Sequence, residues 1–95
     1  MRISYLPRAD IFLRRLRDRD EAAFHSLRGL IHVVSTMPEI DNVSKVLMDF
    51  GSGRSTPVYV GEDWWFVYRV EREEEEDVFR VLMIWEASNP PHLRL

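Results

Sequence analysis

Arginine supplies twelve of the thirteen cationic side chains in this sequence, so any chemistry that needs fixed positive charge must use guanidinium groups. Arg54, Arg69 and Arg80 fall in the second half of the chain and can line a phosphate-binding surface, because a guanidinium presents a planar fork of donors to an oxyanion. The competing reading pairs them with Glu71 or Asp77 as ordinary cross-strand ion pairs. Arg14, Arg15, Arg17 and Arg19 make a basic stretch that can meet phosphate or an acidic partner, or else form a solvated face paired with Asp10 and Asp18. Trp64, Trp65 and Trp85 can stack nucleic-acid bases, each stacked base contributing about 1–3 kcal/mol. Aromatic residues in strands are also core material, but adjacent residues on a strand point to opposite faces, so Trp64 and Trp65 cannot both enter one core. One of them is expected at a partner interface or in solvent. His92 carries an imidazole that titrates near neutrality, as a general acid or base requires, and the bland alternative is a polar residue in a loose tail.

Several classes of chemistry find no support. The chain has no cysteine, hence no disulfide framework and no thiolate metal site. His25, His32 and His92 fit no zinc spacing, and His25 and His32 would stand two turns apart on a helix. Gly51-Ser52-Gly53 precedes no helix and so is not a phosphate loop. No cofactor is expected. No apolar run reaches the roughly 18 residues of a membrane span, and the N-terminal stretch lacks the apolar segment of a signal peptide, so a cytoplasmic protein without a membrane partner is expected.

These side chains must be positioned by one domain, since 95 residues leave no room for two cores. The formal charge of −3 is unevenly divided. Residues 1–48 hold eight Lys/Arg against six Asp/Glu, and residues 49–95 hold five against ten. Met1–Tyr5 reads as a short edge strand, and Pro7 suits a first helical turn, where a missing N–H costs nothing. Ala9, Phe12, Leu13 and Leu16 recur at helical spacing, as do Phe24, Leu27, Leu30, Ile31 and Val34. Asp20 can cap the second helix, and Met37-Pro38 closes it, which predicts two consecutive helices over residues 7–37 joined by a tight turn as an antiparallel hairpin. Residues 39–50 fit both a helical and an alternating pattern, and a loop running into a strand is the expectation. Pro57 limits a strand there to an edge or a late start. Val58–Val60, the turn Gly61-Glu62-Asp63, Trp64–Val70, an acidic hairpin tip over 71–77 and Val78–Trp85 complete the pattern. The last strand, apolar except at Arg80, is expected to be central and covered on both faces. The predicted fold is α+β: a short N-terminal strand, a two-helix hairpin, then an antiparallel meander of three to four strands packed on the helices.

That order resembles the RelE/ParE superfamily of toxins from toxin–antitoxin pairs, over almost the whole chain. Tyr5-Leu6-Pro7-Arg8-Ala9 is similar to the family's strand-to-helix opening, and Met37-Pro38 to its proline closing the second helix. Residues 58–70 resemble its strand, glycine turn and aromatic strand, and residues 78–85 its closing strand. The resemblance implies a cognate antitoxin as partner and ribosome-dependent mRNA cleavage as activity. It would make Arg54, Arg69, Arg80 and His92 the catalytic set, with Trp64, Trp65, Arg14, Arg15 and Arg17 as binding residues. Gyrase inhibition is the activity of the family's other branch. Two departures count against the nuclease. Trp65 stands where mRNA-cleaving members place a basic residue, and Glu86, Ala87 and Ser88 follow the last strand where they place basic ones. A catalytically inactive module of this fold, homodimeric or holding another protein, is therefore the second expectation.

Overall fold

The computed structural model describes residues 1–89, and within them the chain runs strand, helix, helix and four further strands. Helix α1, Pro7–Arg19, begins with the proline in its first turn and buries Ala9, Leu13 and Leu16. Asp20 alone links the helices. Its extended backbone (φ −154°) breaks the first helix, its N–H still donates to the Leu16 carbonyl at 2.7 Å, and its carboxylate accepts from the Ala23 N–H at 3.1 Å as the cap of the second. Helix α2, Glu21–Thr36, buries Phe24, Leu27, Ile31 and Val34, a row at three- and four-residue steps, and ends before Pro38.

Strands β1 (Arg2–Tyr5), β2 (Lys45–Asp49), β3 (Ser55–Val60), β4 (Trp64–Glu73) and β5 (Glu76–Glu86) form one sheet in the order β1-β5-β4-β3-β2. The last four make the antiparallel meander, and β1 returns to pair in parallel with β5, Tyr5 against Val81. Residues 39–50 are a loop followed by β2. Pro57 lies within β3, yet pairing with β4 begins only at Val58, as a residue without a donor requires.

The loop before β2 is organised by one carboxylate. Asp41 Oδ1 accepts the backbone N–H groups of Val43, Ser44 and Lys45, each at 2.9 Å. Lys45 Nζ in turn donates to the Met37 carbonyl at 2.8 Å. The N–H groups of Lys45 and then Val43, with a smaller share from Ser44, hold the Asp41 carboxyl well below its ordinary value of 3.8. A depressed folded value means that the contribution is complete above the unfolded value and is lost as pH falls towards the folded one. The urea midpoint of the wild type should therefore exceed that of Asp41→Asn at neutral pH, and the gap should close on acidification below about pH 4. A gap independent of pH would show that the charge is not what matters.

The core lies between the helices and one face of the sheet. Phe66, Tyr68, Phe79, Val81 and Ile84 join the buried helical residues, with Trp64 packed alongside, edge-on to Phe12 at 6.1 Å. Val70 continues this row but is 45% exposed, so the helices' cover ends at Tyr68. Tyr68 donates its hydroxyl to the Pro38 carbonyl at 2.6 Å, tying β4 to the end of α2, and burial pushes its phenol up to about 12. Phe79 and Val81 alternate in the usual way, but the next core residue on β5 is Ile84. Leu82 has no partner on β4, where Tyr68 faces Val81 and Val67 faces Met83, so this bulge changes which residues turn inward.

The acidic tip is tighter than the sequence suggests. Glu73 pairs with Glu76, leaving Glu74-Glu75 as a two-residue turn with φ of 45° and 68°. Both glutamates occupy the left-handed region, which costs an L-residue about 1–2 kcal/mol, and the turn's preferred sequence is Asn-Gly. Glu74→Asn with Glu75→Gly should raise stability by about 1–2 kcal/mol in urea titration. No gain would contradict this turn geometry. Gly61, in the β3–β4 turn, is held to glycine by a close approach: a Cβ there would lie 2.6 Å from Cε1 of Tyr59, whose ring stacks on Phe66.

Candidate sheet-face site

Three fully or nearly buried valines, Val58, Val67 and Val78, are absent from the helix-packed cluster. They alternate with its members along β3, β4 and β5, so they point to the opposite face of the sheet. Trp65 and Trp85 face each other across β4 and β5, and Trp85 stacks on Phe50 at 5.9 Å. Trp64 and Trp65 thus divide between the two faces as their adjacency demands. The expectation that β5 is covered on both faces holds only in part: Leu82, Met83 and Trp85 remain half-buried, because the helices pack on one side alone.

Arg69 and Arg80 are direct register partners and share this face with Glu71. They do not form an open cationic pair. Arg80 bridges to Glu73 through Nη2 and lies 3.6 Å from Glu71 through Nε, and Arg69 stands 3.8 Å from Glu71. Arg2, on β1, adds a second bond to Glu73 at 2.8 Å. Three guanidinium groups therefore surround two carboxylates. The side chain of Arg80 is only 22% exposed, and its Nε is buried without a hydrogen-bond partner among the described residues, the deepest point of the cluster. A phosphate entering here would have to displace both glutamates. Asp77, the other acid expected to pair with these arginines, is bonded to Arg72 instead.

The remaining candidates are dispersed. Arg54 sits exposed after the Gly51–Gly53 turn, and no ion pair or hydrogen bond among the described residues joins its side chain to Arg69 or Arg80. His92 lies outside the described residues. The arginines of α1 do not share a face: Arg14 pairs with Asp10 at 3.0 Å, Arg15 lines a groove against Met83 and Trp85, Arg17 lies over the Phe24 ring, and Arg19 bonds Glu86 at 2.8 Å. His25 is 3.5 Å from Glu21 on the exposed side of α2. Among the described residues no group of three or more His, Cys, Asp or Glu is placed to hold a metal, and no helix is long and apolar enough to cross a membrane.

Glu73, Arg2 and Phe50 are the members of this face that sequence reasoning missed. Two-residue alternation from Arg69 through Glu71 to Glu73 carries the signal for the first, but reading 71–77 as one solvated tip hides it. No family model, curated protein or solved structure matches this chain.

Proposed function

We propose that this chain is a toxin-like, RelE/ParE-type protein that works by holding a protein partner on the sheet face opposite its helices, and that this face is not a ribonuclease centre. The order of strand, two helices and meander supports the fold kinship. The observation that carries the functional reading is the occupation of Arg69 and Arg80 by Glu71 and Glu73. RNA cleavage needs cations free to meet the charge that grows on the scissile phosphate, and a carboxylate in that position opposes it. The same face offers what protein interfaces favour: Trp65, Trp85 and Phe50 beside a valine floor, with a charged cluster at one end. A cognate antitoxin is the partner expected of such a protein.

A second reading, ribosome-dependent mRNA cleavage, is favoured by the adjacency of Arg69 and Arg80 and by the excess of one positive charge that Arg2 leaves in the cluster. Induced expression in a bacterium, alone and beside the product of the neighbouring gene, separates the two. Holding predicts that the two products purify together and that Trp65→Ala with Trp85→Ala weakens the complex at least tenfold, while Arg80→Ala with His92→Ala leaves any growth arrest intact. Arrest with cleaved messages, abolished by Arg80→Ala, would establish the nuclease and sink the holding role. Arrest through gyrase would leave messages whole and inhibit supercoiling. Sedimentation of the purified chain reports whether a second copy fills the face instead.

A further inference from the structure

On the helical side of the molecule, two arginines without carboxylate partners are drawn to one aromatic ring. The guanidinium carbons of Arg17 on α1 and Arg28 on α2 each lie 5.7 Å from the centre of the Phe24 ring. Neither takes part in an ion pair among the described residues, in contrast to Arg2, Arg14, Arg19, Arg69, Arg72 and Arg80. Phe24 is almost fully buried, and the His25 ring stands across it with centroids 5.3 Å apart. The ring's negative face attracts each guanidinium, but no carboxylate among the described residues pairs with either of the like charges it gathers.

The two groups border a groove of about 300 Å³ between the helices, lined also by Tyr5, Leu13 and Arg14. Asp10 is the acid in this lining, and Arg14 already engages it at 3.0 Å. The local balance is therefore three positive charges against one. A second groove of about 330 Å³ shares Tyr5 and Arg28 with the first and continues past Gly29 to His25 and His32. Space remains open above Gly29. Tyr5 borders both grooves. Burial raises its phenol above the ordinary value, while the charge of Arg28 beside it pulls the other way, so it stays a neutral hydroxyl able to donate.

The geometry points to a phosphate-binding site in which one phosphate group bridges Arg17 and Arg28, with Arg14 and the Tyr5 hydroxyl at its margin. Guanidinium forks recognise phosphate oxygens in bidentate fashion, and an anion between them offsets the repulsion of the two like charges. The site is on the opposite side of the molecule from the sheet-face cluster and does not depend on what that face binds. A terminal phosphate of a small molecule and the backbone of a single-stranded nucleic acid present the same group, and they are told apart by experiment.

The test uses the full chain at low ionic strength, titrated separately with inorganic pyrophosphate and with a short single-stranded oligonucleotide. Arg17→Gln with Arg28→Gln alters only exposed side chains, so the fold should survive. It should weaken binding of the effective probe about tenfold or more. Arg8→Gln, another exposed arginine without an ion pair among the described residues, whose Nη1 donates to Met83 Sδ and which lines neither groove, is the control for loss of general charge and should change affinity less than twofold. Pyrophosphate binding alone assigns the site to a terminal phosphate. Tighter oligonucleotide binding, with log K falling against log salt at a slope of about −2 for three cations and flattening to about −0.7 in the double variant, assigns it to a backbone. Binding of neither probe, or equal losses in Arg8→Gln and the double variant, overturns the proposal.

Discussion

Phe66→Ala should lower the free energy of unfolding by about 3–5 kcal/mol, a large share of the 5–15 kcal/mol that holds a domain of this kind together. Phe66 has no exposed surface and stands at the middle of a row of rings. Its centre is 5.0 Å from Tyr59 on β3 and 6.1 Å from Tyr68 on β4, and Tyr68 in turn stacks on Phe79 of β5 at 4.9 Å. Truncation therefore removes the ring's burial, leaves a cavity, and deprives two neighbours of a packing surface at once. Tyr68 would be the second casualty, because its hydroxyl bond to Pro38 depends on a ring held in place. Urea titration measures the loss. Should the alanine variant not fold, Phe66→Leu offers a milder test, with an expected cost of about 1–2 kcal/mol. A leucine variant as stable as the wild type would mean that the row of rings is not where the sheet gets its cohesion.

The second large effect concerns affinity. Replacing Glu71 and Glu73 together by glutamine should turn the sheet-face cluster from a closed ion network into an exposed cationic patch. Arg2, Arg69 and Arg80 would keep hydrogen-bond acceptors but lose both countercharges. Each phosphate that a freed guanidinium neutralises adds about 0.7 to the salt slope on a single strand, so three should steepen it by about 2. At low salt, RNA retention by the double variant should rise at least tenfold over the wild type. The stability cost should be modest, since Arg2 and Arg69 are more than half exposed and only Arg80 sits deep. Unchanged retention would mean that the glutamates do not screen these arginines. Cleavage by the wild type before any substitution would instead support the nuclease reading.

The two helices were readable because their punctuation is local: Pro7 opens one, Asp20 closes it and caps the next, and Pro38 bars continuation. The β4 and β5 strands were equally legible, since a run of aromatic and β-branched residues suits little else. β2 was not. Ile40, Val43 and Leu47 have helical spacing, and the choice is made by Asp41, whose single carboxylate gathers three N–H groups and turns the chain, an arrangement that no hydrophobic pattern encodes. The site was harder still. Residues advance about 100° apiece around a helix, so Arg14, Arg15, Arg17 and Arg19 never formed one face despite their closeness in sequence. The pairing of Arg80 with Glu73 needs the hairpin to turn at Glu74-Glu75, and the left-handed backbone of two glutamates runs against turn preference.

Leu82 is the one residue of β5 that the ladder with β4 could lose without turning any other side chain over. Excising it would bring Met83 directly after Val81 and straighten the strand, with Ile84 still beneath the helices and Trp85 still opposite Trp65. Excising Val81 or Met83 would instead force Leu82 into the vacated rung. The molecule thus carries a spare link in its longest strand, a place where chain length can drift between descendants while the inside and outside of the protein keep their identities.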